Sequence, residues 1–189
     1  MSIARRALHV ASDVLAALRA DDDLVGLIDS AGEEIAMAIT KGGKVMLCGN
    51  GGSSCDANHF AEELTGRFRG NRPGLPAIAC TDAGHITCTA NDFGYDQVFS
   101  RWVGALGSKG DVLIVLSTSG NSKTIINALS AGKEHGLRTI ALLGKGGGQC
   151  AGAANFELCV PGETSDRIQE LHMLILHIWC EMLEPVRRP

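Results

Sequence analysis

Residues 44–68 read KVMLCGNGGSSCDANHFAEELTGRF. An apolar run over 44–49 passes through Gly49-Asn50-Gly51-Gly52-Ser53-Ser54 into a stretch of helical spacing over 54–68. Short continuous apolar runs of this kind predict strands buried on both faces. A Gly/Ser turn that opens a helix sets unpaired backbone N–H groups, and the positive end of the helix dipole, at the strand's carboxyl end. Gly lets the backbone approach a ligand closely, and Ser hydroxyls add donors. The same arrangement recurs at Leu116-Ser117-Thr118-Ser119-Gly120-Asn121-Ser122. Two such loops point to a phosphorylated small molecule.

Four further apolar runs, at 76–81, 111–117, 139–144 and 156–161, predict four more strands. Helical segments over 54–68, 84–105 and 122–135 separate them, and Gly146-Gly147-Gly148 reads as a loop. Residues 165–184 predict a final helix with Ser165 as its N-cap. Repeated βα units give an α/β fold with a five-stranded, parallel, doubly wound sheet, flavodoxin- or Rossmann-like. Both Ser/Gly loops then fall at carboxyl ends of strands, where such sheets bind ligands. Residues 2–41 read as two helices interrupted by Asp21-Asp22-Asp23. They either cover one face of the sheet or serve assembly of an oligomer. The length of 189 residues predicts one domain over 1–189.

Composition narrows the function classes. The chain is 45% hydrophobic but only 4% aromatic, which suits an aliphatic α/β core. Its formal net charge is −4 and it has no basic stripe, so neither nucleic acid nor an anionic membrane surface is expected as a partner. No apolar run is long enough to span a bilayer. No secretory signal is legible at the N-terminus, so a cytoplasmic protein is expected. The seven cysteines form no C-x-x-C pair, and several lie in apolar strand-like runs, where Cys packs as a small hydrophobe. Cys55 lies near a helix start, where a thiol pKa can fall. No base stands beside it in the sequence, and it is read as structural.

The chemistry-bearing residues follow the loops. Gly49-Asn50-Gly51-Gly52-Ser53-Ser54 lacks the third glycine of a dinucleotide fingerprint, and neither loop continues into Gly-Lys-Ser/Thr. Phosphate binding without a nucleotide motif leaves a sugar phosphate as the natural ligand. His59 and Glu63 are four residues apart and project from one helical face. Imidazole plus carboxylate at that spacing can bind a divalent ion or perform general acid–base work. The same spacing also describes a solvated face with a mild His–Glu interaction. In the last helix, Gln169, Met173, Leu176 and His177 lie broadly on one side. Periodicity does not decide whether His172 or His177 joins Gln169 in a site. Asn91-Asp92 reads by itself as an ordinary turn signal.

Together these segments resemble the phosphoheptose isomerases of the sugar isomerase (SIS) fold. The resemblance is carried by KVMLCGNGGSSCDANHFAEELTGRF, RPGLPAIA, NDFGYDQVFSR, GDVLIVLSTSGNS and DRIQELHMLILHI, in that order, over nearly the whole chain after residue 40. It implies that Ser117, Thr118, Ser119 and Ser122 form a phosphate loop. It implies that Asn50, Gly51 and Gly52 contact the sugar, with Asn91 and Asp92 as a further substrate contact. His59, Glu63, Gln169 and His177 match the family's zinc ligands, one Zn²⁺ per subunit. Glu63 and His177 match its proton-transfer residues, with His59, Glu63 and Gln169 also counted among the substrate contacts. The choice of His177 over His172 comes from the resemblance alone. So does the expectation of a homotetramer, which favours the assembly role for residues 1–41.

The implied reaction is aldose–ketose isomerisation of D-sedoheptulose 7-phosphate to D-glycero-D-manno-heptose 7-phosphate, the first step toward nucleotide-activated heptose for bacterial surface glycans such as lipopolysaccharide. Some members carry His where this chain has Ser54, so Ser54 is given no role. Two other readings share the fold. One is another SIS-type sugar phosphate isomerase, such as a hexulose phosphate isomerase. The other is a non-catalytic SIS protein that binds a replication-initiator partner; such proteins lack the acid–base residues, and Glu63 and His177 are both present here.

Overall fold

The structure, a computed structural model, describes residues 1–187. Five parallel strands form the sheet: β1 (Val45–Gly49), β2 (Ala77–Ala79), β3 (Val112–Ser117), β4 (Arg138–Leu143) and β5 (Phe156–Cys159). Their order is β2-β1-β3-β4-β5, the flavodoxin-like doubly wound order. Each predicted strand is present; β4 is shifted by one residue at the same length, and the other four are shortened by a residue or more.

The strands alternate their side chains between two apolar layers, as period-2 geometry requires. Val45, Leu47, Val112, Ile114, Leu116, Ile140 and Leu142 face one layer. Met46, Cys48, Leu113, Val115, Ala141 and Leu143 face the other. Helices α1 (Ile3–Ala20), α2 (Asp22–Thr40), α3 (Gly52–Thr65) and α7 (Ser165–Leu183) supply the first layer through Leu18, Ile28, Ile35, Phe60, Leu64, Ile175 and Trp179. Helices α5 (Val98–Leu106) and α6 (Lys123–Glu134) supply the second through Phe99, Trp102, Ile125 and Leu129. The predicted segment 84–105 is two helices, α4 (Ala83–Phe93) and α5, joined by a 3₁₀ turn over Tyr95–Gln97. Gly94, with φ of 90°, breaks the run. Residues 2–41 are two helices, as their periodicity predicts. No helix among the described residues is long and apolar enough to cross a membrane.

Two sequence readings are refined. Ser165 is not the N-cap of α7; Thr164 holds that position, and Ser165 is the first helical residue. Its hydroxyl is instead directed to Thr118, with the two Oγ atoms 3.0 Å apart. Of the cysteines, Cys48, Cys80, Cys150 and Cys180 are buried, and burial pushes the Cys80 and Cys180 thiols up to about 12. Cys55 is exposed rather than packed. It lines a cleft with Ser54, Asn58, His59, Glu62 and Thr81.

His172 is fully buried in α7, and its Nε2–H donates to the Leu143 carbonyl at 3.0 Å. Burial lowers its pKa to about 4, so the folded protein holds it neutral. The unfolded chain, with a histidine near ~6.5, takes up a proton first as the pH falls. Folding stability therefore drops between pH 6.5 and 4 through this residue. His172→Gln removes that dependence. Urea unfolding at pH 7.5 and pH 4 should show wild type losing about 3 kcal/mol relative to the variant over the interval.

Candidate functional site

Strands β1 and β3 are neighbours, with Gly49 in register with Leu116. Their carboxyl ends therefore lie side by side, and the loops that leave them open toward one another. This is the position at which a doubly wound sheet reverses direction and opens a crevice. A cavity of about 230 Å³ lies there, lined by Asn50, Ser53, Ser117, Thr118, Ser119, Ser122, Ser165 and Gln169.

Three helix N-termini meet at this cavity. The starts of α3, α6 and α7 contribute Ser53, Ser122 and Ser165 to its wall. None of the three has a side-chain cap, whereas α1, α2 and α4 are capped by Ser2, Asp21 and Asp82. Uncapped first-turn amides need acceptors, and the three helix dipoles place partial positive charge on one volume. Such a site is complementary to an anion.

The Ser117–Ser122 loop is locked from within and from behind. The Gly120 N–H donates to Ser117 Oγ at 3.1 Å, and the Asn121 N–H to Ser119 Oγ at 3.2 Å. From behind, the Cys150 N–H donates to the Gly120 carbonyl at 2.9 Å and the Gln149 N–H to Asn121 Oδ1 at 3.0 Å. The 3₁₀ segment Lys145–Cys150, whose Gly146–Gly148 was predicted only as a loop, is thus a brace for the anion cradle. Asn50 is fixed as firmly. Its amide donates to Thr124 Oγ1 at 2.8 Å and accepts from the Tyr95 hydroxyl at 2.8 Å.

Farther along α3 and α7 is a second cluster. His59 Nε2 lies 3.2 Å from Glu63 Oε1 and 3.2 Å from His177 Nε2. The three donor atoms all fall within 4.8 Å of one another. Two imidazole nitrogens and a carboxylate share too few protons to satisfy every such contact by hydrogen bonding. A tetrahedral zinc with bonds near 2.05 Å separates its ligand atoms by about 3.3 Å, so the two 3.2 Å separations around His59 and the nitrogen–oxygen donor set fit that ion. Periodicity left His172 and His177 open; the fold buries His172 and brings His177 to His59. Gln169 lies two turns before His177 on α7, its amide 3.5 Å from Ser53 Oγ, between the cluster and the anion cradle.

The expected contacts are not all brought together. Asn91 and Asp92 sit on exposed α4, where Asn91 donates to Asp92 Oδ1 at 2.8 Å, and they line neither the Ser-loop cavity nor the His59 cleft. Sequence reasoning passed over Tyr95 and Thr124, which hold Asn50, and Asp56, one turn before His59. Asp56 Oδ2 is buried without a partner, and burial raises its carboxyl to about 6 against the opposing pull of His59. Its spacing from His59 was the available signal. Tyr95 and Thr124 carry none, because their role depends on tertiary contact.

Comparison with known proteins agrees with this fold. The SIS domain family model matches residues 8–144. The phosphoheptose isomerase of Vibrio cholerae is 55% identical over 181 residues, covering 95% of each chain. Among solved structures, the phosphoheptose isomerase of Neisseria gonorrhoeae superposes with a TM-score of 0.86 at 41% identity, over 96% of this chain and 98% of that one. That of Francisella tularensis gives 0.89 at 36% identity, over 97% and 98%.

Gly120 has φ of 62°, and a Cβ built on it would fall 1.8 Å from the Gly147 carbonyl oxygen. Gly120→Ala should lower stability by about 3 kcal/mol or more, since both the backbone conformation and the brace are lost. Chemical denaturation measures the loss.

Proposed function

The chain belongs to the SIS-domain family, among the phosphoheptose isomerases, and we propose that it converts D-sedoheptulose 7-phosphate to D-glycero-D-manno-heptose 7-phosphate. The observation that carries this reading is the pairing of an anion cradle with an acid–base cluster on the same two helices, α3 and α7. The sugar phosphate is held by its phosphate at Ser117, Thr118, Ser119 and Ser122. Binding this remote group orients the reacting carbons. Asn50, Gly51, Gly52 and Gln169 contact the sugar chain, and Asn91 and Asp92 approach it once subunits assemble.

Glu63 moves the proton between C1 and C2 through an enediolate. His177 transfers protons at the sugar oxygens and assists ring opening. His59, Glu63, Gln169 and His177 would hold one Zn²⁺ per subunit. Such an ion supplies Lewis-acid polarisation of the carbonyl oxygen. The residues' own task is to present the carboxylate and the imidazole to adjacent atoms of the open-chain sugar.

Assembly as a homotetramer is part of the same reading. Ile3 and Leu8 on α1 are 78% and 71% exposed, an apolar surface that a second copy of the chain would cover. The reaction is placed in the cytoplasm, at the entry to nucleotide-activated heptose for surface glycans.

NMR of the purified protein with sedoheptulose 7-phosphate should show a new aldose signal that a chelator suppresses and Zn²⁺ restores. Its absence under metal-replete conditions overturns the reading. Glu63→Gln should lower kcat by about 10²–10⁴-fold in a folded protein. Ser119→Ala should raise KM for the sugar phosphate by about tenfold, the loss of one hydrogen bond to a charged group.

A further inference from the structure

The segment that follows α3 docks along one stripe of α7. His177, Glu181 and Glu184 are spaced four and three residues apart, so their side chains share a helical face. Each meets a partner from the loop, in chain order. Phe68 stacks on the His177 imidazole, with ring centroids 5.7 Å apart and planes at 27°. Arg69 Nη2 lies 2.7 Å from Glu181 Oε1. The Gly70 N–H donates to Glu184 Oε2 at 2.8 Å, and Arg72 Nε donates to Glu184 Oε1 at 3.2 Å.

The contacts differ in strength. Arg69 and Glu181 are exposed, and such a pair contributes little. The Arg72 side chain is 1% exposed. Besides Glu184, it donates to the carbonyls of Glu63 and Leu64, both at 2.9 Å, in the last turn of α3. Arg72 therefore ties the end of the helix that carries Glu63 to the end of the helix that carries His177. With the loop fastened there, Phe68 is held against His177.

The His177 ring needs such a wall. The torsion that turns an imidazole about its Cβ–Cγ bond is soft and broad, so packing sets the ring plane. His59 meets the His177 ring edge-on, with centroids 5.3 Å apart and planes at 68°, and Phe68 meets it nearly face-on. Turning the ring would move Nε2 away from His59 and Glu63. The Arg69 guanidinium lies 4.9 Å from the Phe68 centroid and adds a cation–π contact to the same stack.

We infer that Phe68 is a positioning residue for His177, holding its imidazole plane so that Nε2 faces His59 and Glu63, with Arg72 and Glu184 anchoring the loop that carries it. This rests on the reading of His59, Glu63 and His177 as the reaction site. The test compares Phe68→Leu, which keeps apolar volume without a ring, with Phe68→Tyr, which keeps the ring. Two quantities are measured: Zn²⁺ affinity of the metal-stripped protein, by competition with a chromogenic chelator, and kcat and KM for sedoheptulose 7-phosphate at saturating Zn²⁺.

Phe68→Leu should weaken Zn²⁺ binding by about tenfold or more and lower kcat similarly, with KM held within about threefold. Phe68→Tyr should match wild type in both measurements. A Leu variant with wild-type Zn²⁺ affinity overturns the inference, even if its activity falls with its thermal stability. Phe68→Met gives the same comparison should the Leu variant fail to fold. Wild type that binds Zn²⁺ but does not turn over the heptose phosphate sinks the functional reading alone; the affinity comparison then still decides the role of Phe68. Wild type without Zn²⁺ affinity overturns both.

Discussion

Backbone N–H groups that no side chain caps are the constraint around which this molecule is arranged. Three helices start at one cavity with their first-turn amides free of side-chain caps, while α1, α2 and α4 are capped by Ser or Asp. Some of these amides turn to backbone carbonyls, as those of Ser53 and Ser54 do to Asn50 and Gly51, and any left without a partner favours water or an anion beside it. The sheet order makes the convergence unavoidable. With β1 beside β3, the chain leaves both strands at the same edge of the crevice, and α7 returns to it from the far end of the sheet. Aliphatic packing of α3 and α7 on one face then determines where everything downstream of those helix starts must lie.

The reaction cluster depends on that packing in a different way. Phe60 of α3 meets Trp179 of α7 edge-on, with centroids 6.3 Å apart, and the Trp179 indole N–H donates to the Ile28 carbonyl at 2.9 Å. These buried contacts set the separation of the helices. His59 lies one residue before Phe60, and His177 two residues before Trp179. The polar cluster is thus the exposed margin of an aromatic core contact, and its 3.2 Å spacings inherit the rigidity of that core.

Much of this was legible in the chain. Strand runs such as Val112–Ser117 are continuous and aliphatic, and the Gly/Ser turns after β1 and β3 mark the ligand edge without help from tertiary structure. The pairing of His59 with Glu63 follows from helical spacing alone. The choice between His172 and His177 does not. Both lie in one apolar helix, and only the placement of β4 shows that His172 is spent on the Leu143 carbonyl. The brace made by Gln149 and Cys150 was equally hidden, since its partners Asn121 and Gly120 lie about 30 residues earlier. Asn91 and Asp92 show the same limit from the other side. By themselves they read as a turn, only the family resemblance marks them as a contact, and a single chain leaves them apart from the crevice.

Helices α3 and α7 run from the anion cradle to the acid–base cluster, and this gives the enzyme a gauge. Ser53 to His59 is six residues, about 9 Å of helical rise, and Gln169 to His177 is eight, about 12 Å. A reach defined by loops can drift by small steps as loops lengthen or shorten. A reach defined by helices cannot, because one inserted residue turns every later side chain by about 100° and takes it off the shared face. On the proposed placement of the sugar phosphate, the span between phosphate and reacting carbons is therefore quantised in helical turns. Divergence toward shorter or longer sugars on this scaffold has to proceed by replacing the residues at fixed rungs, not by stretching the ladder.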